Sequence, residues 1–153
     1  MTRNRILLVA TLTSLCFGSG VALADTDADA AIAYRKSVMQ LIGTHTKDIA
    51  AIVKGTVPFS SDLAFHAEGL AGAAAIALKP FEDKVVEGKD EKTTAKADIW
   101  SNFPHFADTM HKLEADTAAL KVAVNSGDKA AIGSQLGVVG KDCKSCHDDS
   151  RTK

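Results

Sequence analysis

The sequence predicts an all-α protein, an antiparallel up-down-up-down four-helix bundle. Three observations carry this. Apolar residues recur in steps of three and four along four separate segments. Alanine, which costs least in a helix, is abundant, while aromatic residues make only 5% of the chain. No stretch alternates apolar and polar with the period of two that a half-buried strand requires. Small side chains let helices approach closely, and the shortage of rings leaves room for a large apolar object that the chain does not encode. The length of 153 residues suits one domain. A composition of 46% hydrophobic and 24% charged residues excludes disorder as the default. A net charge of −1 argues against a nucleic-acid partner, which would demand a basic surplus.

Residues 1–24 read as a cleaved secretory signal. Arg3 and Arg5 give the positive start, Ile6 to Leu15 the apolar run, and Ala22-Leu23-Ala24 a small-x-small cleavage site. An uncleaved anchor is the weaker reading, because the run is shorter than the roughly 20 residues that span a membrane. The arginines are not adjacent, which argues against a twin-arginine route, and Cys16 leaves with the signal. The mature chain, residues 25–153, then carries 16 basic and 19 acidic side chains and has no membrane attachment. Export points to the periplasm, an oxidising compartment where paired cysteines are usually disulfides. Only Cys143 and Cys146 remain after cleavage.

The first helix is expected over Asp27 to Lys54, on the stripe Tyr34, Val38, Leu41, His45, Ile49 and Ile52, ended by Gly55 and Pro58. The second is expected over Asp62 to Leu78, with Ser60 or Ser61 as N-cap. Lys79 to Lys96 has no period and reads as a long charged loop. The third runs from Ile99 to Val124, where Phe103, Phe106, Met110, Leu113, Thr117 and Leu120 alternate steps of three and four as a bundle seam does. Pro104 fits only in a first turn, so regular helix is placed from about Ser101. Gly127 suits the left-handed C′ position at its end. The fourth starts near Asp128 and shows Ile132, Leu136, Val139, Cys143 and His147 on one face. Gly133, Gly137 and Gly140 flank that face. Each costs about 1 kcal/mol against alanine, so close packing on a neighbouring helix is expected there, or close approach to a bound group.

Residues 143–147 read Cys-Lys-Ser-Cys-His, the attachment motif of a c-type haem. Each thiol adds to a haem vinyl group, and the histidine that follows reaches the iron from the same side. At the helical period the three side chains fall within an arc of about 100°. The last helix would thus grip one covalently attached haem c per chain, with His147 as axial iron ligand. A thioredoxin-like redox pair would want a βαβ context, a zinc site four ligands, and a disulfide across one helical turn would be strained.

With these residues in view, the mature chain resembles the cytochrome c′ family, the class II c-type cytochromes. Tyr34-Arg35-Lys36-Ser37 is similar to that family's Tyr-Arg-Gln-Ser segment, with Lys36 in place of Gln. His45, Val53-Lys54-Gly55, Pro58-Phe59 and Asp98-Ile99-Trp100-Ser101 followed by Phe106 also resemble it, as does the C-terminal place of the motif. The resemblance implies a bundle that often forms a homodimer. Its iron is usually high-spin and five-coordinate, open on one face to NO and CO, with NO tolerance or electron transfer as its role. Arg35 and Lys36 would lie by the haem propionates, against the alternative of a solvated charge pair. Thr94 and Ala95 would touch the haem edge. Arg151 would sit beside the proximal imidazole and tune it, against the alternative of a cationic helix end.

Met39 occupies the position of the family's distal apolar residue. As a packing wall it leaves the iron five-coordinate and open to gas. As a ligand it makes the chain a low-spin His/Met electron carrier resembling cytochrome c-556, with redox proteins as partners. The wall is the preferred reading. Phe59, Phe65, Phe81 and Phe103 suit a plain core, whereas Trp100 and Phe106 are candidates for the pocket. His45, His66, His105 and His111 have no ligand spacing and read as surface or capped. An enzyme such as a peroxidase is the weakest reading, since no distal acid/base pair is apparent.

Overall fold

The computed structural model describes residues 27–153; the signal segment and Cys16 lie outside the described residues. Helix α1 spans Ala28–Val53, within one residue of expectation at each end. Asp27 caps it, its carboxylate accepting from the Asp29 and Ala30 amides at 3.0 and 3.2 Å. The buried face differs from the expected stripe. Ile32, Arg35, Val38, Ile42 and Ile49 point inward, while Tyr34 and Leu41 are 55% and 50% exposed. A buried arginine on the core face hid the true phase, because a charge counts as polar in any periodicity.

Helix α2, Leu63–Ala75, starts one residue later and stops three residues earlier than expected. Pro80, in a 3-10 turn over Lys79–Phe81, explains the early stop. Continued helix would press its ring on the Ile76 carbonyl. The serines expected as N-cap instead belong to a 3-10 turn, Ser60–Asp62, and no side chain caps α2. Ser61 Oγ donates to Asp62 Oδ1.

The predicted third helix is two. Helix α3, Asp98–Ser101, ends at Asn102, whose φ of −137° and ψ of 55° break the run. Helix α4, Phe103–Ser126, then starts with Pro104 in its first turn. The seam from Phe106 through Met110, Leu113, Thr117 and Leu120 to Val124 is buried as expected. Gly127, at φ 73°, closes α4 and returns its amide to the Val124 carbonyl. Helix α5, Lys129–Ser150, is capped by Asp128 and carries the whole motif. Gly133, Gly137 and Gly140 correct another expectation. A methyl on any of them would meet nothing within 4 Å, so they face open space rather than a helix or a pocket.

Chain neighbours pack closely: α1 on α2, α2 on α4, and α4 on α5. Leu70, Leu120, Val139 and Ile49 centre the core that results. The α1 and α5 pair that closes the ring is the least tightly packed, and the gap between them is the site. Among the described residues no helix is long and apolar enough to cross a membrane.

Candidate haem cavity

A cavity of about 720 Å³ opens between α1, α4, α5 and the Thr93–Ala95 segment. That is within the roughly 300–1,000 Å³ typical of ligand pockets. Cys143, Cys146 and His147 form its α5 wall, Met39 and Gly43 belong to the α1 wall opposite, and Phe81, Phe106 and Met110 line its apolar interior. The three motif residues reach one cavity because α5 stays regular through them.

The chemistry of this wall fits a haem. No disulfide joins Cys143 to Cys146. Burial pushes both thiols above their ordinary range, the opposite of the low-pKa thiolate a redox pair needs. Burial, then the charge of Arg151, lowers the His147 pKa from its ordinary value. The imidazole is therefore neutral near pH 7, the form that ligates iron. Among the described residues no cluster of three or more His, Cys, Asp or Glu side chains is arranged to hold a bare metal ion.

Arg35 is 3% exposed and its guanidinium donates to the Pro80 carbonyl at 3.1 and 3.3 Å and to the Val85 carbonyl at 3.0 Å. It stacks 4.5 Å over the Phe81 ring and 5.2 Å from that of Trp100. It thus pins the 80–85 loop while touching the cavity. Lys36 lines the cavity mouth and pairs with Glu91 at 2.6 Å. Thr94 and Ala95 line it too, clamped to the end of α5. Arg151 Nε donates to Thr94 Oγ1 at 3.1 Å, and the Thr152 amide to the Thr94 carbonyl at 2.8 Å.

Arg35→Ala should lower stability by about 2–4 kcal/mol, because it strands two partly buried carbonyls and empties the space over two rings. Arg35→Lys should recover little, since an ammonium lacks the fork. Chemical denaturation checks both; a loss under about 1 kcal/mol would contradict the clamp.

Some expected pocket residues lie elsewhere. Trp100 is not on the wall; it backs Arg35 and donates to the Phe81 carbonyl at 2.8 Å. Phe81, assigned to the core, does line the cavity. Phe59 and Phe65 are exposed. His45 turns away to α2, its Nδ1 3.1 Å from His66 Nδ1. Gly69 makes room for that ring, since a Cβ there would fall 2.5 Å from His45 Nε2. His105 and His111 are at the surface.

Sequence reasoning missed Met110 and Asp142, both on the wall. Asp142 follows Val139 by three residues, so helix phase alone placed it inside.

A profile of the family described as Cytochrome C′ matches residues 30–151. The chain belongs to the cytochrome c′ family. It is 38% identical over 153 residues to a cytochrome c′ of Rhodopseudomonas palustris, covering 96% of this chain and 97% of that one. It is 33% identical over 119 residues to a cytochrome c-556 of Agrobacterium tumefaciens, covering 78% and 94%. Among solved structures, a ferrous Alcaligenes xylosoxidans cytochrome c prime variant with bound NO matches with a TM-score of 0.74 at 26% identity, covering 84% and 98%. The cytochrome c′ bundle thus places its haem motif on the last helix here, facing the gap beside α1.

Proposed function

We propose that this chain is an exported, periplasmic haem protein that binds NO or CO and passes single electrons. One haem c would be bonded through Cys143 and Cys146. The observation that carries this is the shared cavity wall of Cys143, Cys146 and His147, opposite an α1 wall without histidine. When bound, the haem would supply an iron that can be ferric or ferrous and can take a small gas. His147 would hold that iron through its neutral ring nitrogen, and Met39 would pack against the group from the α1 wall. Thr94, Ala95 and Arg151 close the edge, while Lys36 brings positive charge to the propionates and Arg35 adds its charge from within the wall. The NO-bound relative supports gas binding. With His45 paired to His66, no distal histidine attends the site, which favours a binder over an enzyme.

A second reading makes Met39 the sixth ligand of a low-spin electron carrier. It is favoured by Met39 on the cavity wall and by the cytochrome c-556 relative. Adding CO to the reduced holoprotein separates the two. A shifted Soret band is expected, and an unchanged spectrum would replace the open-iron reading with the His/Met one.

The signal over residues 1–24 and the bundle over 25–153 complete the proposal. Release of a chain starting near Asp25 into a periplasmic fraction is its check; an intact N-terminus would oppose it. The chain is also read as a homodimer through α1 and α2, which expose Tyr34, Leu41 and Phe65. Sedimentation equilibrium at micromolar protein should give twice the chain mass, and Leu41→Glu with Phe65→Glu should give monomer. A monomer from wild type would end the dimer reading.

A further inference from the structure

The haem reading leaves one buried ionisable group without a task. Asp142 directly precedes Cys143, lines the same cavity and is 8% exposed. Its Oδ1 accepts from Lys112 Nζ at 2.7 Å, while Oδ2 is buried with no hydrogen-bond partner. The same Nζ donates to Asp116 Oδ2 at 2.5 Å, and Gln135 Nε2 donates to Asp116 Oδ1 at 3.3 Å. One ammonium therefore serves two carboxylates, and one oxygen has no donor. Such an oxygen is costly to bury without a donor, more so when charged, unless it gains a proton.

We propose that the Asp142–Asp116 pair takes up one proton when the iron of the haem held by Cys143, Cys146 and His147 is reduced. This rests on the haem reading above. Asp142 gains an O–H bond, with the proton drawn from bulk water. The electron comes from a one-electron donor outside the chain and converts ferric iron to ferrous. Iron loses one positive charge and the carboxylate one negative charge, so the charge of the region is unchanged. In a poorly solvated wall this balance lowers the cost of reduction.

The surroundings favour Asp142 as the proton's seat. Burial raises its pKa from the ordinary carboxylate value, Asp116 adds to the rise and Lys112 opposes it. Asp116 is held low, chiefly by its hydrogen bond from Lys112. From α4 the facing charges are thus Lys112 and Asp116. On α5 the neighbouring titratable group is the Cys143 thiol, which a thioether bond removes. From α1, Arg35, Lys36 and Lys47 line the same cavity, as do His147 and Arg151 at the end of α5. The Lys112 side chain is 57% exposed, which links the pair to solvent. Two coupled carboxylates titrate as one unit.

The test is the reduction potential of the holoprotein as a function of pH. In wild type the potential should fall with rising pH in a window above the usual aspartate range. The slope should approach 59 mV per pH unit, a tenfold change in proton activity at one electron. Asp142→Asn should be flat across that window. Lys112→Ala keeps both carboxylates, removes their cation and should move the window to higher pH. Redox-difference infrared spectra give a second readout: a protonated-carboxyl carbonyl band should appear on reduction in wild type and be missing in Asp142→Asn. An unchanged slope and band in Asp142→Asn would overturn the proposal, as would a window that Lys112→Ala leaves in place. A pH-independent potential with the covalent haem intact would overturn it and spare the haem reading. A chain that carries no covalent haem would overturn both.

Discussion

Replacing Cys143 and Cys146 together by alanine should yield a chain with no covalent haem and no cooperative unfolding transition. The cavity between α1 and α5 explains the size of the effect. In an ordinary four-helix bundle, side chains would fill that gap; here the chain offers few rings to do so. Covering apolar wall is worth about 25 cal/mol per Å². A planar group that covers a few hundred Å² contributes several kcal/mol. Total stability for a domain of this size is only about 5–15 kcal/mol. Without the group, water enters the gap and the α1–α5 contact, already the loosest, has nothing to hold it. Each single variant, Cys143→Ala or Cys146→Ala, keeps one thioether and should remain folded with weaker haem retention. Intact mass and thermal melting check the series. Acid-acetone treatment of wild type is the complementary test: haem that washes away would refute the thioether bonds.

Much of the bundle was legible because its helices carry explicit punctuation. Asp27 and Asp128 as helix starts and Gly127 as a left-handed stop are local signals that hold, whereas the serines expected to cap α2 lie in a 3-10 turn. The motif was legible for the same reason: five consecutive residues on a regular helix fix their own geometry. What sequence could not give depends on contacts between distant segments. Arg35 is an inward-facing residue only because the Pro80 and Val85 carbonyls and two rings receive it, some 45 to 50 residues away. Its charge turned the expected face of α1 toward Tyr34 and Leu41. The glycines of α5 misled in the opposite direction. Their helical cost suggested a packing purpose, yet each faces open space, and nothing in the structure explains them. Asp142 was missed because an acidic residue beside a cysteine reads as surface, although the period from Val139 put it inside.

The ferric protein should show a high-spin spectrum without the charge-transfer band of a methionine–iron bond. The expectation follows from the site. Met39 faces the α5 wall across the cavity and is only half-buried. A flexible thioether there packs over an apolar plate as readily as it ligates. If it only packs, Met39→Ala removes a plug. A drop of about 1.4 kcal/mol in the entry barrier would speed CO association about tenfold, with little change in spin state. If it ligates, the same substitution converts a low-spin spectrum to high-spin and opens the iron to CO. A thioether ligand also raises the reduction potential, because it favours ferrous iron, so the potential of Met39→Ala should then fall. Met110 supplies a built-in control. It also lines the cavity but sits on α4 at 3% exposure, within the core. Met110→Leu should leave the spectrum unchanged under either outcome, since its sulfur is committed to packing. A methionine band that survives Met39→Ala and disappears in Met110→Leu would assign the sixth ligand to α4, and the α1 wall would then serve neither as ligand nor as gate.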